Sequence, residues 1–342
     1  MLVFGSDAHR AHHPRQPFSD RGQLIDPPEV PERIDRIVHA LADAGLGAPV
    51  APREFGIEPV QRVHPPEYLD FLEHAHARWR EATGLGPESE AAAYARAIRG
   101  QPSDEPLHVI GQLGWYSHDN DPVLSGTWSA ALGAVDVTLA AWEAVARGDA
   151  RVAYALARPP GHHAAADSFA GYCYLNNVAI AAAAWVERGA RVAIVDVDYH
   201  HGNGTQQIFY DRDDVLFVSL HADPAEEYPF LLGFAQERGW GAGQDCNRNF
   251  PLPMGTEWDA YEPALDTALA LVRKYAPDGV IVSLGVDTAL EDPDSFRLVA
   301  DDYSRIGAAL ASLGVPTVVV QEGGYNLDVI GRNVAHVLAE LS

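Results

Sequence analysis

The second half of the chain alternates short β-branched and apolar runs with longer stretches of helical period, and this restricts the fold more than any other feature. Arg151–Leu156, Arg191–Val197, Val215–Leu220, Gly279–Leu284 and Val315–Gln321 read as strands. Asn176–Arg188, Asp259–Tyr275, Asp301–Leu313 and Asp328–Leu341 read as helices. Strands separated by helices of roughly 10–15 residues form a parallel sheet, and a parallel sheet is buried by helices on both faces. Two further helices, Pro31–Ala44 and Pro65–Ala82, begin at prolines, which suit a first helical turn. Residues 88–121 carry Gly, Pro, Ser and His without a period and read as a loop-rich insertion. A length of 342 residues allows about two domains or one large α/β unit. With no repeat, low-complexity tract or linker, the expectation is a single α/β domain over 1–342, an open parallel β-sheet with helices on both faces.

Composition narrows the partners. Apolar residues make up 47% and charged residues 21%, enough to bury a core and unlike a disordered chain. The 24 basic residues against 48 acidic ones leave a net charge of −24, which would repel phosphates, so no nucleic-acid partner is expected. Such a surface keeps a protein soluble and favours neutral or cationic partners. Cys173 and Cys246 have no CxxC spacing, so neither a disulfide framework nor a cysteine metal site is expected. The N-terminus has no basic region followed by a long apolar stretch, and no run of 18 apolar residues occurs. The expectation is a soluble cytoplasmic protein with no membrane partner.

In open α/β sheets ligands bind beyond the carboxyl ends of the strands. Arg158-Pro159-Pro160-Gly161-His162-His163 follows the first of these strands, and Asp196-Val197-Asp198-Tyr199-His200-His201-Gly202-Asn203-Gly204 closes the second. Gly285-Val286-Asp287 follows Leu284, and Glu322-Gly323-Gly324-Tyr325 follows Gln321. Four strand ends thus carry His, Asp and Tyr, the side chains that ligate metals and move protons.

Positions i and i+2 of an extended segment face the same side, so Asp196, Asp198 and His200 can share one site. Two carboxylates and an imidazole make a three-ligand set for Zn²⁺ with a fourth position open. Asp198 and His200, joined by Asp287 from another strand end, are the expected set, although spacing alone would let Asp196 serve as well as Asp198. Fe²⁺ accepts the same donors. The tandem His162-His163 sits on a stiff Pro-Pro-Gly turn, where an imidazole can take a proton from water and return it to a leaving amine. Asp196 and Asn203 are candidate acceptors to hold the two rings. Gly323-Gly324-Tyr325 allows close backbone approach and presents a phenol that can face a developing oxyanion.

The segments Arg158–Ala164, Asp196–Gly204, Ser283–Asp287 and Glu322–Tyr325 together resemble the zinc-dependent histone deacetylase superfamily, with its arginase–deacetylase fold. Gly126-Thr127-Trp128, Asp223-Pro224-Ala225-Glu226 and Gly239–Gly243 are similar to the bacterial acetylpolyamine amidohydrolases within it. The resemblance implies Zn²⁺ on Asp198, His200 and Asp287. It implies His163 as general base and acid beside Asn203, His162 as electrostatic partner on Asp196, and Tyr325 as donor to the carbonyl oxygen. Tyr172 and Tyr228 would wall the tunnel, with Gly171 beside it. Structural K⁺ would lie among the backbone oxygens of Asp196, Asp198, His200 and Leu220 with the Ser219 hydroxyl, and a second K⁺ near Phe209, Arg212 and Val215. A homodimer is implied as well.

Two positions separate the subgroups. Asn203 stands where many class I deacetylases carry Asp, and matches class II and the polyamine enzymes. Ile110 stands where the polyamine-specific relatives have glutamate, and Asp121 is the expected replacement for a second acidic gate residue nearby. The N-terminal loop from His9 to Asp20 carries His12-His13 in place of an acidic lip. The expected function is removal of acetyl or short acyl groups from primary amines of linear aliphatic substrates such as acetylpolyamines. A protein or peptide acyl-lysine deacylase is the alternative, and a non-catalytic sensor of acylated amines stands behind it. His12, His13, His64 and His221 are expected to be structural or rim residues.

Overall fold

The computed structural model describes residues 1–20, 23–91, 104–293 and 295–342. Its strands are β1 (Leu2–Phe4), β2 (Phe18–Asp20), β3 (Gln23–Ile25), β4 (Val152–Ala155), β5 (Val192–Asp196), β6 (Val215–Ala222), β7 (Asn247–Leu252), β8 (Gly279–Leu284) and β9 (Thr317–Gln321). Seven of them form one parallel sheet in the order β1-β4-β9-β8-β5-β6-β7, and β2 and β3 form a separate antiparallel hairpin. The helices are α1 (Glu32–Asp43), α2 (Glu58–Gln61), α3 (Pro66–Thr83), α4 (Val109–Trp115), α5 (Thr127–Arg147), α6 (Asn177–Val186), α7 (Asn203–Phe209), α8 (Trp258–Tyr275), α9 (Ala300–Ala311) and α10 (Ile330–Leu341).

Strand alternation divides the core in two. Ala153, Ala155, Val192, Ile194, Ile281, Val318 and Val320 pack under α3, α5 and α6. Val152, Tyr154, Ala193, Val195, Val280, Val282 and Val319 face the other way, onto α1, α8, α9 and α10. Every residue of β5, β6 and β8 is buried, which is why these strands read as mostly apolar runs rather than alternating ones.

Where the sequence hid an element, the reason is physical. The 21-residue α5 buries 14 of its residues, so no polar stripe marks its period. By length and composition α5 could cross a membrane, yet 72% of its apolar window lies inside the protein, as in a core helix. Strand β7 is an edge strand whose Asn247, Arg248, Asn249 and Pro251 disguise it, and an edge tolerates the proline. The stretch expected as a loop-rich insertion contains α4, started by His108 Nδ1, which accepts a hydrogen bond from Ile110 N–H at 3.2 Å. Residues 92–103 of that stretch lie outside the described residues.

Candidate active site

Chain order splits between β5 and β8: β6 and β7 extend the sheet one way, β9 the other. A crevice opens at such a switch point, beyond the carboxyl ends of the strands. Four adjacent strands, β4, β9, β8 and β5, end there and deliver the four segments rich in His, Asp and Tyr.

Asp198, His200 and Asp287 converge, each offering one ligand atom, all within 4.8 Å of one another. His200 Nδ1 lies 3.2 Å from Asp287 Oδ2 and 3.5 Å from Asp198 Oδ1. The carboxylates are fixed by backbone donors: Gly323 N–H to Asp198 Oδ2 at 2.8 Å, Tyr199 N–H to Asp287 Oδ1 at 3.0 Å. A Cβ on Gly323 would collide with Asp287 Oδ2 and stand 2.6 Å from Asp198 Oδ2, so only glycine lets the backbone close over both. Burial disfavours a charged His200, but its bonds to Asp198 and Asp287 push it up to about 10. Two buried carboxylates and one imidazole nitrogen at this spacing fit a divalent cation, whose charge would replace that of the protonated ring. Asp196 points elsewhere: its Oδ2 lies 3.0 Å from His162 Nδ1, and its Oδ1 accepts from Asp198 N–H at 3.1 Å. The two aspartates that spacing left equivalent are therefore distinct in geometry.

The tandem histidines have opposite surroundings. Burial works against a charged His162, but Asp198, Asp196 and Glu322 outweigh it and push the ring up to about 10. A divalent cation among the carboxylates would withdraw part of that support, because Asp198 serves both. His163 Nδ1 lies 2.7 Å from Asn203 Oδ1, and burial with the neighbouring His162 and His200 holds this ring well below the ordinary histidine range. The turn carrying both is tied down by Glu322 Oε2, which accepts from Gly161 N–H at 2.7 Å and His162 N–H at 3.2 Å.

Above this floor lies a cavity of about 510 Å³ lined by His163, His200 and Tyr325 below and by Gly171, Tyr172 and Tyr228 on the walls. Tyr172 and Tyr325 meet edge to face at 5.8 Å between centroids, and the Tyr228 ring stands 5.1 Å from that of His163. Burial pushes the Tyr325 phenol well above its ordinary value, so it is a proton-bearing donor at neutral pH. Asp119, Asp121 and Glu227 also line the cavity, and among the described residues no lysine or arginine does.

The histone deacetylase domain family matches residues 27–341. The chain belongs to the histone deacetylase family. It is similar to the acetylpolyamine amidohydrolases 1 and 2 of Pseudomonas aeruginosa, 48% and 47% identical over 99% of this chain and 98% of each relative. The crystal structure of an acetylpolyamine aminohydrolase from Burkholderia pseudomallei superposes with a TM-score of 0.91 at 40% identity, covering 100% of this chain and 98% of that one. The parallel sheet is that of the arginase–deacetylase fold.

Asp121, expected as an acidic gate residue, lines the cavity. It is buried, and its Oδ2 accepts the Tyr172 N–H at 2.6 Å, so it buttresses the tunnel wall. Asp119, two residues earlier, takes the Gly171 N–H at 2.7 Å and the Tyr228 hydroxyl at 2.9 Å on one oxygen. Ile110 lies on α4, 38% exposed, and does not line the cavity. Sequence reasoning also passed over Glu29 and Arg33, which lie behind Tyr325, and Asp292, whose Oδ1 accepts the Tyr325 N–H at 2.9 Å; only the acidic Asp119-Asn120-Asp121 cluster and the Glu29–Arg33 spacing hinted at any of them.

Among the residues expected around K⁺, Asp196 and Ser219 pair across β5 and β6, and Ser219 Oγ lies 2.7 Å from His221 Nδ1. Phe209, Arg212 and Val215 share the turn from α7 to β6, where the Phe209 carbonyl accepts the Arg212 N–H and the Arg212 guanidinium is paired with Asp214. His12 bonds Thr127, and His64 joins the Ala166 carbonyl to the Asn176 N–H, so both brace loops.

Proposed function

We propose that this single catalytic domain, spanning 1–342, is an amidohydrolase that removes acetyl groups from acetylpolyamines. The observation that carries the reading is a cavity walled by Tyr172 and Tyr228, lined also by Asp119, Asp121 and Glu227, that brings His163, His200 and Tyr325 together. Aromatic walls suit a linear aliphatic chain, and a lining with three acidic residues and no lysine or arginine suits its ammonium groups. The names of the Pseudomonas and Burkholderia relatives agree with that substrate class.

Asp198, His200 and Asp287 would hold Zn²⁺, with Fe²⁺ the alternative, and the cation would supply Lewis acidity to the amide carbonyl and to water. The remaining chemistry falls to the chain. An amide oxygen only accepts hydrogen bonds, so Asn203 keeps the hydrogen on His163 Nδ1 and leaves Nε2 as the base. His163, neutral at physiological pH, takes the proton of the attacking water at Nε2 and returns it to the departing amine. The Tyr325 hydroxyl donates to the carbonyl oxygen as negative charge grows there, and the His162 imidazolium on Asp196 adds electrostatic support. The proposal includes a structural K⁺ that the backbone oxygens of Asp196, Asp198, His200 and Leu220 with the Ser219 hydroxyl would hold, a homodimer, and a cytoplasmic location.

The test compares kcat/KM for acetylputrescine, acetylspermidine and an acetyl-lysine peptide. Preference for the polyamines supports the reading, and preference for the peptide replaces it with acyl-lysine deacylation. If the net charge of −24 steers cationic substrate, kcat/KM for acetylspermidine falls with salt while that of a neutral acetamide stays level. Light scattering that returns a single chain removes the homodimer.

A further inference from the structure

Glu29 sits in Pro27-Pro28-Glu29-Val30-Pro31, where the prolines stiffen the approach to α1. It is buried together with Arg33 and Arg158, at 1%, 0% and 1% exposure. A single oxygen, Glu29 Oε1, lies 2.7 Å from Arg33 Nη1 and 2.8 Å from Arg158 Nε. Both guanidiniums spend their other donors on backbone carbonyls. Arg33 Nε donates to Gly324 O at 2.6 Å and Nη2 to Glu322 O at 2.5 Å, the residues flanking Gly323 just before Tyr325. Its guanidinium also lies 5.0 Å from the centre of the Tyr325 ring. Arg158 Nη1 donates to His9 O and His12 O at 2.6 and 2.7 Å, and Arg158 opens the turn that ends in His162-His163.

We infer that Glu29 is a positioning residue for the reaction: through Arg33 it sets where the Tyr325 loop holds its phenol, and through Arg158 it ties that loop to the turn bearing the histidine pair. The inference rests on the role proposed above for Tyr325. A buried ion triad is a poor source of stability, since apolar side chains of similar volume often do as well or better. This one ends on the two loops that carry the site, which is what alignment of two reactive groups requires.

The test is a double-mutant cycle on the full chain. Glu29→Asp keeps the charge but draws the carboxylate back by one methylene, and Arg33→Lys keeps the charge but loses the guanidinium fork. Each is made alone and with Tyr325→Phe, and folding is checked by near-UV circular dichroism. Each single variant is expected to lower kcat about tenfold with KM within about twofold, and to change kcat less than about twofold once Tyr325 is already Phe. Equal losses in both backgrounds mark a general structural role and overturn the inference alone. A Tyr325→Phe enzyme with unaltered turnover overturns the tyrosine's proposed role and this inference with it. If Glu29→Asp does not fold, the Arg33→Lys cycle separates the same outcomes.

Discussion

The Nδ1 atom of His163 lies 2.7 Å from the side-chain oxygen of Asn203, a partner that orients the ring without lending it negative charge. Burial and the adjacent His162 and His200 therefore keep His163 well below the ordinary histidine value. Asn203→Asp would place a carboxylate at the same spot. An opposite charge at this distance favours the protonated ring and raises its pKa, by about 1–3 units. The free base is then lost at a higher pH. The acid limb of kcat/KM is expected to move up by that amount, with activity largely recovered above it. A pH–rate profile that does not move would remove His163 from the base role.

How far this site is legible in the sequence follows from what holds each residue. Asp198, His200 and Asp287 are legible because they follow the ends of β5 and β8, and strand ends meet on one side of a parallel sheet. Period could not tell Asp196 from Asp198, because positions two apart share a face; the neighbours His162 and His200 separate them. Asp121 is expected from the sequence and Asp119 is not, because both lie in a loop with no period and only folding sends one to the Tyr172 backbone and the other to Tyr228. Glu29 and Arg33 are four apart and could be guessed to pair, but Arg158 joins them only through the fold. Helix α5 stayed hidden because burial on most sides erases amphipathic contrast.

Removing the cation should separate ligands from reacting groups. Asp198→Asn or Asp287→Asn is expected to bind less than one equivalent of Zn²⁺ by elemental analysis. Tyr325→Phe should retain full metal while kcat falls by about 10²–10³, the usual loss of one oxyanion donor. Chelation should also lower the thermal midpoint, since a ligand at one hundred times Kd contributes about 2.7 kcal/mol. Full metal content in both aspartate variants would show that the cation binds elsewhere.

Stability should respond to acid through Glu29. Burial alone would raise its pKa, but Arg158 and Arg33 reverse this and hold it at about 2, against 4.5 for the free group. A depressed folded-state pKa gives stability that is complete above 4.5 and is lost as pH falls toward 2. At 1.36 kcal/mol per unit, the contribution is about 3 kcal/mol. Urea midpoints of the wild type should therefore drop across that window, and Glu29→Gln, if folded, should show a shallower drop from a lower plateau. Parallel curves for the two proteins would mean that other carboxylates govern the acid response.

Gly171 allows the sharpest separation of backbone strain from chemistry. Its φ of +55° is a left-handed conformation, and a Cβ there would collide with His163 Cδ2 and stand 3.0 Å from its Nε2. Gly84, at φ +70°, ends α3 with nothing within 4 Å of the same imagined carbon. Alanine at either position takes on similar conformational strain, of order 1 kcal/mol. Only Gly171→Ala also pushes on the imidazole, against the Asn203 contact that fixes it. The Gly84→Ala enzyme should lose a little thermal stability and keep its kcat. Gly171→Ala should lose kcat by at least about tenfold while its metal content stays whole, because displacement of a reacting group by about 1 Å can cost two orders of magnitude. Equal kcat in the two variants at comparable stability would show that the ring can yield without harm, and that the close approach of Gly171 serves the tunnel wall alone.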